Sequence, residues 1–185
     1  MKRELNVFDN FLPDPDAYMD SIRGVEYRTF EFPEATFHGI WPMDNKSAVP
    51  YLVKVMTGGE PWLSFLRQSP LGQVEPHFIH TDIDMGKWSA LLYLNRNPPD
   101  GDGTSFWTHN DTGSIECLEP HRYSEQGQHV DGWTLRETVD AAFNRLIVFP
   151  ASYFHSRAIF DNWTQGDESR LTQVTFGKGD IFAGV

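Results

Sequence analysis

Read from its amino terminus, the chain begins with a short apolar run at 6–12, patterned as a strand, and then turns at Pro13-Asp14-Pro15-Asp16. Either aspartate can cap a helix, because a carboxylate accepts from the unsatisfied N–H groups of a first turn. A helix is predicted from about Asp16 to Arg23, ending at Gly24. Residues 26–50 are rich in aromatics and broken by Pro33, Gly39 and Pro42, which predicts short strands and loops. At 61–67, Trp62, Phe65 and Leu66 fall on one side of a helical projection, so a second helix is expected there.

From Val74 onward the pattern becomes that of β-structure. Strands are predicted at 77–84, 88–95, 104–109, 145–149 and 171–176, separated by clusters of Gly, Pro, Asp and Asn. Many short strands with such punctuation imply a sandwich or barrel. Between His109 and Asn144 a polar excursion interrupts the rhythm, and Thr134-Leu135-Arg136-Glu137 within it fits a capping box opening a short helix. A long connection in a compact domain is usually functional or mobile. The segment 109–144 is therefore expected to form a lid or rim within a single domain spanning 1–185.

Composition narrows the function classes. The formal net charge of −11 and a sequence pI near 4.9 oppose binding to nucleic acid or an anionic membrane face. Cys117 is the only cysteine, which excludes an intramolecular disulfide framework and any zinc site built on several thiolates. No run of eighteen apolar residues occurs, and Met1-Lys2-Arg3-Glu4-Leu5-Asn6 lacks the apolar stretch of a secretory leader. A cytoplasmic protein is expected. Six tryptophans and 14% aromatic residues imply a core of large rings.

Candidate chemistry concentrates at His80-Thr81-Asp82. In an extended strand, residues two apart share a face, so an imidazole and a carboxylate can address one metal ion. His155, just beyond the apolar strand 146–150, can complete a set of two histidines and one carboxylate, a ligand set suited to non-haem Fe(II) and oxygen chemistry. His77 has the opposite parity to His80 and should point away. Asp84 shares the parity but lies by the turn at Gly86, as a solvated acid would. His109, ending the strand 104–109, is the competing ligand or a substrate contact. His121 and His129 read as surface imidazoles, and Trp88 and Trp107 as cavity wall or core.

Arg170 heads the strand 171–176 and shares a face with Thr172. A guanidinium inside a barrel needs an anionic partner, since an unpaired buried charge is very costly. A bidentate carboxylate ligand would supply one. A structural salt bridge is the other reading. Arg157 is a rival anchor, but two residues from His155 it would sit very near the metal.

At these residues the chain resembles the Fe(II)/2-oxoglutarate-dependent dioxygenases, and among them the prolyl-4-hydroxylase-like branch. The likeness rests on His80-Thr81-Asp82, Leu91-Leu92-Tyr93-Leu94-Asn95, Gly103-Thr104-Ser105-Phe106, the run from Asn144 to Phe149, His155, and Arg170-Leu171-Thr172-Gln173-Val174. The resemblance implies a mainly β chain with a few flanking helices, folded as a double-stranded β-helix, the cupin-like jelly roll. It implies iron on His80, Asp82 and His155, and 2-oxoglutarate on Arg170, with Tyr93 and Thr172 as further contacts to the co-substrate. Two departures matter. Asp82 is retained, whereas the related halogenases lose this carboxylate, so hydroxylation is expected. The nucleic-acid demethylases carry a second arginine shortly after the anchor, where this chain continues to Phe176-Gly177.

The expected activity is hydroxylation of a C–H bond, consuming molecular oxygen and 2-oxoglutarate. A prolyl or other amino-acid side chain in a peptide or protein is the first substrate class. A free amino acid or small metabolite is the second. A non-catalytic jelly-roll binding or assembly module is the reading from a different class.

Overall fold

Two antiparallel sheets organise the computed structural model, which describes residues 5–31, 36–73, 78–159, 161–165 and 168–182. The expectation for His77 lies outside the described residues. In chain order the elements are β1 (Asn6–Phe8), α1 (Pro15–Ser21), β2 (Arg28–Glu31), β3 (Thr36–Met43), α2 (Ala48–Thr57), β4 (Glu60–Ser69), β5 (Trp88–Tyr93) and β6 (Gly103–His109). Then follow β7 (Trp133–Asp140), β8 (Leu146–Pro150), β9 (His155–Arg157), β10 (Thr164–Gln165) and β11 (Glu168–Lys178). The larger sheet runs β1-β8-β5-β11-β4-β3-β2, with β10 paired to β11, and the smaller runs β7-β6-β9. This mainly β architecture with two α-helices is the jelly roll expected from the motifs.

The strand β11 is the spine of the larger sheet, bonded to β5 on one side and β4 on the other. Because side chains alternate across a strand, its residues divide between two environments. Leu171 packs toward the main apolar core, where Phe11 and Tyr18 of the α1 region and Val49 and Val53 of α2 cover Leu66, Trp88, Leu92 and Val148. Gln173, on the same side, accepts from the Tyr18 hydroxyl and donates from Nε2 to Ser64 Oγ at 2.9 Å. Arg170, Thr172, Val174 and Phe176 line a cavity on the other side. Gly177 admits the Trp88 indole against the strand, and a Cβ there would lie 1.8 Å from Trp88 Cζ2.

Local chemistry accounts for the helices. Asp14 accepts from Ala17 N at 2.9 Å and Pro15 opens α1, as the turn sequence predicts, although the helix closes at Ser21 with Ile22 as its cap. Of the second helix, α2, only residues 48–50 fall in the stretch expected as short strands and loops. Pro50 falls in its first turn, where a missing N–H costs nothing, and Gly58 (φ 74°) closes it by donating to Lys54 O at 2.8 Å.

Three predicted elements are corrected. The stretch 61–67 is the strand β4, because pairing with β11 on one side and β3 on the other overrides the helical spacing of Trp62, Phe65 and Leu66. Thr134-Leu135-Arg136-Glu137 lies in β7, whose pairing with β6 from Gly103↔Asp140 to His109↔Trp133 overrides a local capping signal. Within the described part of 77–84, only His80 pairs, in an isolated bridge with His155. Asp82 then donates from its N–H to Ala151 O, and Met85 N returns to Asp82 O, so the chain turns there. No helix among the described residues is long and apolar enough to cross a membrane.

Candidate metal centre

The bridge at His80 brings together two histidines far apart in sequence. His80 N donates to His155 O at 3.0 Å and His155 N to His80 O at 2.9 Å, leaving the rings 4.4 Å apart between centroids. His80 Nδ1 lies 3.0 Å from Phe78 O, and His155 Nδ1 lies 3.0 Å from Tyr153 O. A carbonyl can only accept, so each Nδ1 carries the proton and each Nε2 presents a lone pair. Both Nε2 atoms face one carboxylate, His80 at 3.6 Å from Asp82 Oδ1 and His155 at 3.3 Å from Asp82 Oδ2. Ser89 Oγ donates to Asp82 Oδ2 at 2.7 Å and fixes its plane.

One ligand atom from each residue lies within 4.8 Å of the others. Ligands about 2.1 Å from a common ion sit roughly 3 to 3.5 Å apart, which the Asp82–imidazole spacings match. Backbone acceptors behind both imidazoles are the usual outer support of metal-binding histidines. Burial of Asp82 works against its charge, but His155, His80 and the Ser89 hydrogen bond outweigh it and hold the pKa down to about 2. Burial likewise disfavours protonated His155, and Asp82 together with the Tyr153 carbonyl reverses that and raises its pKa. The His80–Asp82 pair is therefore confirmed as a spatial neighbour set, but through a bridge and a turn rather than through strand parity.

A cavity of about 670 Å³ opens from this cluster. The larger sheet supplies one wall, including Leu91, Thr172 and Val174, and Thr104, His155 and Arg157 of the smaller sheet supply the opposite one. Cys117, Glu119, Tyr123 and Ser124, from the polar excursion, also line it.

Arg170 lies in the same cavity, 8% exposed, and already has an anionic partner. Its Nε donates to Asp102 Oδ1 at 3.1 Å and its Nη2 to Gly103 O at 3.3 Å. Asp102 is 3% exposed, and it also accepts from Gly103 N at 2.8 Å and Trp163 Nε1 at 3.2 Å. Charge balance alone thus does not require a bound carboxylate. The buried Thr172 hydroxyl, on the same strand face as Arg170, however, has no hydrogen-bond partner among the described residues. Tyr93 is not part of the cavity lining. Its hydroxyl lies 2.6 Å from Thr104 Oγ1, which does line it, and burial pushes the phenol up to about 12.

Other predicted residues separate clearly. His109 is removed from the metal cluster: its Nδ1 meets Thr112 Oγ1 at 3.0 Å and its ring packs at a tilt against Tyr123 and Trp133. Asp84 stands at the cavity edge, 3.6 Å from His121 Nε2, and His129 is exposed. Trp88 belongs to the main core and Trp107 packs beside Phe154 and Trp133. Arg157 lines the cavity and donates to Asn162 Oδ1 at 2.6 Å. Sequence reasoning missed Ser89, Asp102 and Arg67. The strand parity of Ser89 with Leu91 and Tyr93 was available as a signal; Arg67 was hidden by the mistaken helix.

No protein-family model matches the chain, and no curated protein matches it. Solved structures do. A prolyl-4-hydroxylase from Pseudomonas putida is 17% identical with a TM-score of 0.58, covering 95% of this chain and 92% of that one. The non-haem, α-ketoglutarate-dependent carbocyclase SnoK of nogalamycin biosynthesis is 10% identical with a TM-score of 0.60, covering 96% and 80%. Iron-bound HygX from Streptomyces hygroscopicus is 9% identical with a TM-score of 0.55, covering 94% and 81%. The likeness to these solved structures is one of fold. Within that fold, the prolyl-4-hydroxylase and this chain correspond over nearly their whole lengths.

Proposed function

We propose that the protein is an Fe(II)- and 2-oxoglutarate-dependent oxygenase that hydroxylates a C–H bond of a free small molecule. The observation that carries this reading is the convergence of both histidine Nε2 atoms on Asp82 at the wall of a cavity that also holds Arg170. His80, Asp82 and His155 hold the iron. The chemistry that iron would supply there is oxidative decarboxylation of 2-oxoglutarate to succinate and carbon dioxide, coupled to transfer of the second oxygen atom of O₂ to the substrate.

The chain's own residues bind and orient. The Arg170 guanidinium and the Thr172 hydroxyl receive the distal carboxylate of 2-oxoglutarate, while Asp102 fixes the guanidinium plane. Tyr93 positions Thr104 rather than touching the co-substrate. Ser89 holds the Asp82 carboxylate toward the imidazoles. The segment 109–144 contributes the rim through residues 117–124, and this boundary over the cavity favours a free molecule over a side chain presented on a polypeptide. The prolyl side chain remains the second reading, favoured by the likeness to the Pseudomonas putida enzyme. A cytoplasmic setting, in which Cys117 stays reduced, goes with either.

Anaerobic loading with Fe(II), followed by oxygen, should convert 2-oxoglutarate to succinate in step with oxidation of a member of a small-molecule pool. Intact metal binding with no succinate across small-molecule and prolyl-peptide pools would instead support a non-catalytic binding module.

A further inference from the structure

The floor of the cavity carries a row of apolar side chains across four strands. Leu91 of β5 pairs with Val174 of β11, Val174 with Phe65 of β4, and Phe65 with Pro42 of β3. Directly paired residues share one face of a sheet, and all four line the cavity. With strands about 4.8 Å apart, the row is about 14 Å long. The neighbouring row begins at the metal cluster: Ser89, whose hydroxyl holds Asp82, pairs with Phe176, and Phe176 pairs with Leu63.

Leu91, Val174, Phe65 and Leu63 are only half-buried, whereas Leu66 and Leu92, on the opposite face of the same strands, are fully buried. Apolar area left open in the middle of a sheet, beside a metal cluster, is the surface a ligand covers. Phe154 and Tyr123, 5.4 Å apart between ring centroids, add aromatic surface from the loop before β9 and from the excursion. The charged groups of the lining are already engaged. Arg170 is held by Asp102, Arg157 donates to Asn162, Asp84 faces His121, and Glu119 faces Arg122. Arg67 meets Ser69 Oγ at 3.4 Å and lies 5.9 Å from the centroid of the Phe37 ring. Outside the metal cluster and the co-substrate anchor, a charged ligand would thus shed its hydration without finding an unmatched counter-charge among the described residues. Along the row, β4 and β11 spend their backbone groups on both neighbouring strands. A polypeptide laid there would bury its own N–H and C=O groups unpaired.

We infer that the primary substrate is an uncharged, apolar molecule with a fused-ring body, which lies across Leu91, Val174, Phe65 and Pro42 with one edge turned toward His80, Asp82 and His155. The inference rests on the oxygenase reading for the reaction and names the substrate class of that same site. A fused ring fits because it buries apolar area against the floor and against the Phe154 and Tyr123 rings, and carries no hydrogen-bonding groups along its length to be left unpaired. The cavity volume of about 670 Å³ falls in the range of pockets that enclose molecules of this size.

Fluorescence titration tests it with protein loaded with Mn(II) and 2-oxoglutarate, which binds without turning over. The probes are 1-pyrenemethanol, which is neutral, and 1-pyrenecarboxylate, an anion on the same ring body. The alcohol should bind at least about tenfold more tightly than the carboxylate. A blocked prolyl tripeptide, N-acetyl-glycyl-prolyl-glycinamide, should fail to displace the alcohol. Phe65→Ser should weaken the alcohol by at least about tenfold while leaving affinity for Mn(II) and for 2-oxoglutarate unchanged, and Phe65→Leu should keep most of it. Carboxylate binding as tight as that of the alcohol, binding of neither, or displacement by the peptide overturns the inference without requiring any variant to fold. Unchanged affinity for the alcohol in Phe65→Ser also overturns it, by placing the ring body elsewhere. Failure to bind Mn(II) or 2-oxoglutarate counts against the oxygenase reading instead, and titration of the metal-free protein with the two pyrenes then still reads the preference for a neutral ring.

Discussion

Two buried carboxylates, Asp82 at the cavity and Asp102 behind the cavity-lining Arg170, are treated in opposite ways. Asp82 faces two imidazole Nε2 atoms that present lone pairs, with Ser89 as its hydroxyl donor. Asp102 is filled by three N–H donors, from Gly103, Arg170 and Trp163. A carboxylate faced by groups that can themselves ligate can share a cation with them. One surrounded by N–H donors has already been satisfied by the protein and serves as a brace. Burial alone therefore does not identify a functional acid; the lone pairs and protons facing it do.

The comparison is broken most forcefully at Asp102. Asp102→Asn should lower unfolding free energy by about 3 to 5 kcal/mol, because the buried Arg170 charge loses its counter-ion. Urea denaturation measures this, and the paired replacement Asp102→Leu with Arg170→Met should recover most of the loss. A destabilisation below about 1 kcal/mol would deny Asp102 its bracing role.

Asp82→Ala should be read first in the metal, with affinity falling by more than about 100-fold, while the metal-free protein loses the stability that the ionised carboxylate contributes through His155, His80 and Ser89. Competition with a fluorescent chelator reads the first, and calorimetry the second. Ser89→Ala should weaken metal binding by about tenfold through loss of carboxylate orientation alone, and unchanged affinity would mean that Asp82 is held by the turn instead.

Acidity provides the gentlest test. Depressed to about 2 from 3.8, Asp82 contributes stability that is full above 3.8 and lost as pH falls toward 2. His155, raised above 6.5, contributes stability that is full below 6.5 and lost as pH climbs through its raised value. The metal-free protein should be most stable between these limits, whereas metal should stabilise more as pH rises and the imidazoles lose their protons. A Tm profile that is flat from pH 3 to 8 in metal-free protein would contradict the coupling.

Much of the site was legible because its chemistry rests on a few residue types. His80, Asp82, His155 and Arg170 were readable from motif and resemblance, and all four meet at the one cavity. Tyr93 was placed on the right strand but one side chain too far from the cavity, since nothing in the sequence shows Thr104 standing before it. Asp102 looked like turn material beside Gly101 and Gly103; its burial depends on Arg170 returning from 68 positions away. The strand β4 was illegible for a different reason. Leu63, Phe65, Arg67 and Ser69 face the cavity while Leu66 faces the main core, so apolar residues occur on both sides and the spacing of Trp62, Phe65 and Leu66 mimics a helix. With the strand, its arginine was lost as well.

The bond from the Tyr18 hydroxyl to Gln173 has a consequence for how the site comes into being. A slip of β11 by one residue against its neighbours would turn Arg170 and Thr172 toward the helices and send Leu171 and Gln173 into the cavity. Gln173, pinned between Tyr18 and Ser64, is the tooth that engages only one setting of that strand. The placing of Arg170 in the cavity is thereby tied to the docking of the first helix: without Tyr18, β11 loses one of the contacts that distinguish its alignment from a slipped one.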